Sequence, residues 1–516
     1  MVPVMITDEE FHKLIARRGR RLLKIANYVS KQQLPTEILI RPLLGELHSQ
    51  AMQIEELLDA YGARNNRKWC LFRLLTATIK LFSDVSYQLL HIQHALPAYR
   101  LLPIEQDFAK ATEQAMAFTG DVLLRAINQL LFQTHLLGLP IPTDKLREEI
   151  CSENLPPGRL LQDRAVSSKA EMAPKTVTML ATAFLNLAAE SKWVHCSGRC
   201  QPEDYASYIP DTISEENLRG LELRFHNLQS LYDTYVSETE TEGIDANLPV
   251  MRGHISVVYH LLNTATSFAH YYERHVNVSK ETDDIPAFRG QLVNPDALLA
   301  MLMNYSLMYV SLYLTCAQRL CQTMLKRYAE TGEVEVPVPQ YRGFHVRPAT
   351  LVSMLVLHYG SEVRMELDGE QYDASSPLEL FRANEKMNAQ KRRQLTAEIV
   401  RLGLVPEKMS GSIGEVIRSI VLALAEQGKL ILYEQPLHLP EGFAQKRDGA
   451  PLDQVIDAMA QLLAIGKIDV ESDMKVKFIG DKRVLADIEL LAKSGYGEDK
   501  FGNNIPLPEE LVYLRR

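Results

Sequence analysis

His345 stands in the run Gly343-Phe344-His345-Val346-Arg347-Pro348-Ala349-Thr350, where each residue type has a chemical use at its position. Imidazole is the side chain that can be a neutral nucleophile near pH 7. Proline is accepted in the first turn of a helix, so a helix is expected to start at this point. The unpaired N–H groups of a first helical turn attract an anion such as phosphate. Arg347 adds a fixed fork of donors suited to phosphate oxygens. On chemistry alone, His345 is a candidate to accept and release a phosphoryl group, with Arg347 stabilising the added charge.

The flanking residues supply elements that would hold such a loop. Glu333 to Val338 alternates charged and apolar side chains, as a strand should, and Val346 to His358 reads as a helix. Glu362 to Leu367 alternates again, and Asp368-Gly369 is a two-residue hairpin signal leading into a third strand, Glu370 to Ala374. Ser376 then caps a second helix that has Pro377 in its first turn. Together these features resemble HPr, the histidine phosphocarrier of the bacterial phosphotransferase system, and the spacing from His345 to Ser376 follows the family without a gap. The resemblance implies that His345 is the phosphoryl acceptor, that Arg347 stabilises the phosphate, and that an enzyme I-type protein is the donor. It also aligns Ser376 with a serine that some HPr proteins use for regulatory phosphorylation, although helix capping alone explains that residue.

Beyond the second helix the chain departs from the family. The expected fourth strand is Lys429 to Tyr433 and the expected last helix is Leu452 to Ile465, with a helical insertion over about 382–428. The tail, with a strand at Met474 to Ile479 and a helix at Arg483 to Ala492, is expected to be a separate C-terminal extension. Arg342 replaces the small polar residue usual before the loop glycine. The run Leu351-Val352-Ser353-Met354-Leu355-Val356-Leu357 is apolar on every side, where HPr exposes a docking face for its donor. An exposed helix of that kind is unfavourable in water. Its outer side is therefore expected to lie under the insertion, a helical bundle or a partner.

Everything before Val334 reads as helices. Thr7–Ser30, Thr36–Tyr61, Leu71–His94 and Ile104–Leu137 form one set, and Thr176–Lys192, Ser214–Glu238, Met251–Arg274 and Asn294–Tyr328 form a second. The Pro-rich stretch 140–174 separates them, which suggests two bundles. Leu57-Leu58-Asp59-Ala60-Tyr61 echoes Leu231-Tyr232-Asp233-Thr234-Tyr235, a faint sign of duplication. The expected fold is thus multidomain: helical bundles over 1–150 and 170–330, an α+β HPr-like open-faced sandwich over 331–470, and an α/β extension over 471–516.

Other chemistries find little footing. His254, His260, His270 and His275 do not share one helical face, and Glu9-His12 is the only Glu-x-x-His pair, so a metal-binding bundle is not expected. His195-Cys196-x-x-x-Cys200 lacks the second ligand pair of a structural zinc site, and Cys316 and Cys321 read as packing residues. No cofactor motif is present. A net charge of −9 argues against nonspecific nucleic-acid binding, and six cysteines in 516 residues do not form a disulfide framework. Ala297 to Gln318 carries no charge and is long enough for a membrane span. Its evenly spaced Tyr305, Tyr309 and Tyr313 instead suit the central helix of a bundle. The reading is a cytoplasmic regulatory phosphocarrier that acts on protein partners, a donor and a downstream acceptor, without nucleic acid or membrane. The alternative is a scaffold whose HPr-like module is structural.

Overall fold

The computed structural model describes residues 5–32, 38–153, 160, 173–194, 199–237, 239–276, 292–406, 412–434, 436–439 and 450–515. The chain is mostly helical and divides into two compact units, Met1–Cys321 and Gln322–Arg516.

The first unit contains α1 (Asp8–Arg18), α2 (Arg20–Val29), α3 (Arg41–Ala60), α4 (Cys70–Ala95), α5 (Phe108–Leu136), α6 (Ala173–Glu190), α7 (Glu215–Tyr235) and α8 (Asn247–Tyr271). The long helix α9 (Pro295–Arg327) follows. Several of these start where a short polar side chain satisfies a free N–H of the first turn. Thr7 and Glu10 form a reciprocal capping box, and Asp107, Ser214 and Asn294 accept from Lys110, Asn217 and Ala297.

The expected division of this region into two bundles is not seen. Helices from the two sets share one core, because α4 and α8 are each apolar around most of their circumference and bury those faces on one another. The Phe82 ring lies 5.1 Å from Tyr271, and the Thr78 and Tyr271 hydroxyls are hydrogen-bonded at 3.1 Å. Thr112 and Tyr305 make a second such bond, also at 3.1 Å. Among the described residues α9 alone is long and apolar enough to cross a membrane, and two-thirds of its apolar window is buried. Tyr305, Tyr309 and Tyr313 are buried with it, gathered around Phe108 of α5. In the echoed segments, Asp59 grips Arg73 and Asp233 grips Arg252, each through both carboxylate oxygens.

The second unit is built on a four-stranded antiparallel sheet. In chain order its elements are β1 (Thr331–Pro337), α10 (Val346–Tyr359), β2 (Val363–Leu367), β3 (Glu370–Asp373), α11 (Pro377–Arg401), α12 (Ile413–Glu426), β4 (Leu430–Leu432), α13 (Pro451–Ala464), β5 (Ile468–Val470), β6 (Lys475–Asp481) and α14 (Lys482–Lys493). The strand order is β1-β6-β2-β3. Val336, Val476, Phe478 and Met365 are buried with Val352 and Val356 of α10 and Ile488 of α14. On the opposite face Lys477 and Lys475 reach Glu333 and Glu335 at 3.3 and 3.6 Å. Asp368 and Gly369, both in the left-handed region, make the two-residue turn between β2 and β3.

Two expectations about this unit are corrected. Lys429–Tyr433 is not the fourth strand and Leu452–Ile465 is not the last helix of the sheet domain. Residues 430–432 pair only with 468–470, in a separate two-stranded sheet. The strand expected in a C-terminal extension, at Met474–Ile479, lies in the middle of the main sheet between β1 and β2. The extra material therefore runs from the end of α11 to the start of β6, not over 382–428, and α11 is one continuous helix of 25 residues. The physical reason is pairing length. β6 offers seven residues with Val476 and Phe478 facing inward, whereas β4 offers three. The inserted segment has its own core, in which Leu395 and Ile399 at the end of α11 meet Ile417, Val421, Leu424, Val455, Met459 and Leu462.

Candidate functional site

The loop between β1 and α10 is held by its backbone. Arg342 and Gly343 adopt successive left-handed conformations, with φ of 54° and 62°, and the His345 N–H donates to the Gly343 carbonyl at 2.8 Å. Gly343 is required for space as well as conformation, since a Cβ there would collide with the Asn384 carboxamide. Asn384, nearly buried on α11, clamps the loop on both sides. Its Oδ1 accepts from Phe344 N at 3.0 Å and its Nδ2 donates to Arg342 O at 3.1 Å. The fully buried Phe344 ring packs edge-on against Phe478 and Tyr496. His345 is thereby fixed as the N-cap residue of α10, and its side chain makes no capping hydrogen bond.

His345 is one-quarter exposed, and its Nε2 lies 2.8 and 3.0 Å from the two carboxylate oxygens of Glu498. That carboxylate is almost fully buried. Glu498 thus occupies Nε2, while among the described residues Nδ1 has no hydrogen-bond partner. Glu498 is delivered by a tight turn over Gly495–Gly497 in which the Tyr496 ring is buried and its hydroxyl donates to Pro337 O at 2.8 Å. Arg347 is the second residue of α10, partly exposed, and its Nη1 donates to the Gly497 carbonyl at 3.4 Å. The Tyr341 ring stands edge-on to His345 at 5.3 Å.

The expected covers for the apolar helix after His345 were the insertion, a bundle or a partner. The structure gives another answer: the residues that follow α14 lie over it. Leu351 and Leu507 both press on Gly497, where a Cβ would come within 3.2 Å of each. Tyr513 stacks on His358 at 4.2 Å and shares the Asp487 carboxylate with Tyr359. Leu355 is fully buried, Leu351 and Met354 are half-buried, and Leu357 remains exposed.

Ser376 serves as the cap of α11, its Oγ accepting from Glu379 N at 3.4 Å. Glu498 and Asn384 were not legible as site residues. Glu498 is 153 residues from His345 in sequence, and no local pattern marks either one.

The histidines of the first unit have different surroundings. His254 Nδ1 faces Val250 O at 2.9 Å and its Nε2 accepts from Leu102 N at 3.4 Å. His260 Nδ1 faces Gln88 Oε1 at 2.9 Å. Burial pushes the His260 imidazole down to about 3, with the neighbouring His91 adding to the shift, and burial lowers His254 as well. Among the described residues no group of three His, Cys, Asp or Glu could hold a metal ion. His195 and Cys196 lie outside the described residues, and Cys200 is held through its backbone by Asn304. No protein-family profile, curated protein or solved structure matches this chain.

Proposed function

We propose that the protein is a cytoplasmic regulatory phosphocarrier in which His345 accepts a phosphoryl group from an enzyme I-type donor protein and passes it to a downstream protein acceptor. The observation that carries this reading is the pairing of a partly exposed imidazole with a buried carboxylate at the start of a helix. Glu498 holds the Nε2–H, so Nδ1 presents a lone pair and the positive charge that develops on attack is compensated. Nδ1 attacks phosphorus, a P–N bond forms, and the donor's bond to phosphorus breaks with its electron pair leaving on the donor. Arg347 supplies charge for the transferred oxygens. With the insertion set aside, the element order β1-α10-β2-β3-α11-β6-α14 is the order that the HPr resemblance implies, which supports the same reading. The first unit would sense the phosphorylation state, and Ser376 would be a second, regulatory phosphorylation site.

Incubation with a matched enzyme I and phosphoenolpyruvate tests the reading. One acid-labile, base-stable phosphoryl group should appear and should be lost in His345→Ala. One feature favours the alternative of a non-phosphorylated scaffold: the residues after α14 occupy the outer side of α10, where a donor would dock. No labelling of the wild-type chain by a matched donor would select that alternative.

A further inference from the structure

His345 and Val346 also line a cavity of about 310 Å³ between the sheet domain and the inserted segment, one that Glu498 does not line. Its size is at the low end for small-molecule sites. Its polar lining is uneven in charge. Arg342 and Arg392 both line it, and neither guanidinium has an ion-pair or hydrogen-bond partner among the described residues. Of the two acidic groups on the lining, Asp469 is already committed. It is buried and accepts from Lys391 Nζ at 2.8 and 3.0 Å, from Arg342 N at 3.2 Å and from the Tyr433 hydroxyl at 3.3 Å. Glu385 is exposed and accepts only a long 3.5 Å contact from Asn388. The cavity therefore carries two uncompensated cations against one solvated carboxylate.

Arg342 is placed rather than loose. Asp469 holds the backbone of Arg342 in its left-handed conformation, and the guanidinium lies on Gly466, where a Cβ would sit 2.9 Å from its central carbon. Two guanidinium forks on the lining of one cavity suit a tetrahedral dianion better than a planar carboxylate. The facing wall of Phe381, Leu463 and Ile468 is apolar and suits a short carbon skeleton.

We propose that this cavity binds a small phosphate monoester, its phosphate held between Arg342 and Arg392. The site is assembled by the insertion, because Leu463, Gly466, Ile468 and Asp469 all belong to it. It stands whether or not His345 accepts a phosphoryl group.

Isothermal titration of the full-length protein at low ionic strength with glycerol 3-phosphate, orthophosphate, lactate and glycerol tests it. Saturable 1:1 binding of glycerol 3-phosphate is expected, with lactate weaker and glycerol silent. Arg342→Ala and Arg392→Ala should each weaken binding by roughly tenfold or more, since each removes a charge-assisted pair. Gly466→Ala should also weaken it, by displacing the Arg342 guanidinium. Phosphoryl labelling of His345 by a matched donor should persist in Arg392→Ala, which separates this site from the phosphocarrier reading, and circular dichroism verifies that each variant is folded. The proposal is overturned by no saturable binding of glycerol 3-phosphate, by lactate binding as tightly, or by an unchanged affinity in folded Arg392→Ala.

Discussion

His260 and His345 are both held by a hydrogen bond to a side-chain oxygen, yet the two regions put their imidazoles to opposite ends. In the first unit burial keeps His260 neutral down to about 3, and His254 has a partner at each ring nitrogen. Such rings are polar packing pieces. In the loop of the second unit, one nitrogen of His345 is committed to Glu498 and the other is open, on a ring that solvent still reaches. His260 too has a partner at one ring nitrogen only, so what sets His345 apart is that its partner is a buried carboxylate while solvent still reaches the ring.

The largest effect should separate the two regions outright. Phosphoryl labelling by a matched donor should fall below detection in His345→Ala, and His254→Gln and His260→Gln should label as fully as wild type. Labelling lost in the bundle variants, with the fold intact, would break the comparison. Next in size is Glu498→Gln, which keeps the shape but removes the charge that orients the ring. The transfer rate should drop roughly 10- to 100-fold, as for outer partners of functional histidines, with little change in thermal stability. An equal rate in that variant would assign Glu498 a purely structural role.

The bundle histidines have their own signature in pH. His260 is depressed from an unfolded value near 6.5 to about 3, so the unfolded chain binds the extra proton within that window. Its contribution is fully present above about pH 6.5 and is lost as the pH falls toward 3, at up to about 1.4 kcal/mol per pH unit. Both tryptophans, Trp69 and Trp193, are in the first unit, so fluorescence-detected urea unfolding reports that unit alone. Its midpoint should fall between pH 7 and pH 5, and His260→Gln should flatten the dependence. A wild-type midpoint that rises on acidification would contradict the burial argument.

Smaller effects test the cover on α10. Leu351→Lys should cost about 1–2 kcal/mol, roughly half to two-thirds of the value for full burial, because the half-buried side chain loses its packing on Gly497 and the lysine gains no partner. Val346→Lys on the same helix, at an exposed position, should stay within about 0.5 kcal/mol of wild type by chemical denaturation. Equal stability of the two variants would mean that the residues after α14 do not hold that face.

What was legible from residue order was what is encoded locally. The loop at His345, the start of α10, the Asp368-Gly369 turn and the Ser376 cap each depend on a few adjacent residues, and each is found where its sequence puts it. What was not legible depends on partners far along the chain. Lys429–Tyr433 and Met474–Ile479 are both plausible apolar strands, and only the length of match to β1 and β2 decides which enters the sheet. The single core of the first unit was hidden for a similar reason, since a proline-rich stretch looks like a boundary whether or not the helices on either side meet again. Glu498 acquires its meaning only once the chain has folded back.

The position of β6 has a consequence for the timing of synthesis. Among the described residues β1 has β6 as its only neighbour in the sheet, and the ion-paired Glu333 and Lys477 are 144 positions apart. At about 5–20 residues per second, β1 leaves the ribosome roughly 7–30 s before its partner exists. The inserted segment can close its own two strands in the meantime, so a nascent chain would carry a finished insertion beside an unpaired edge. A ribosome that stalls before Lys475 would release a chain with β1 and β2 both open to pairing with other molecules.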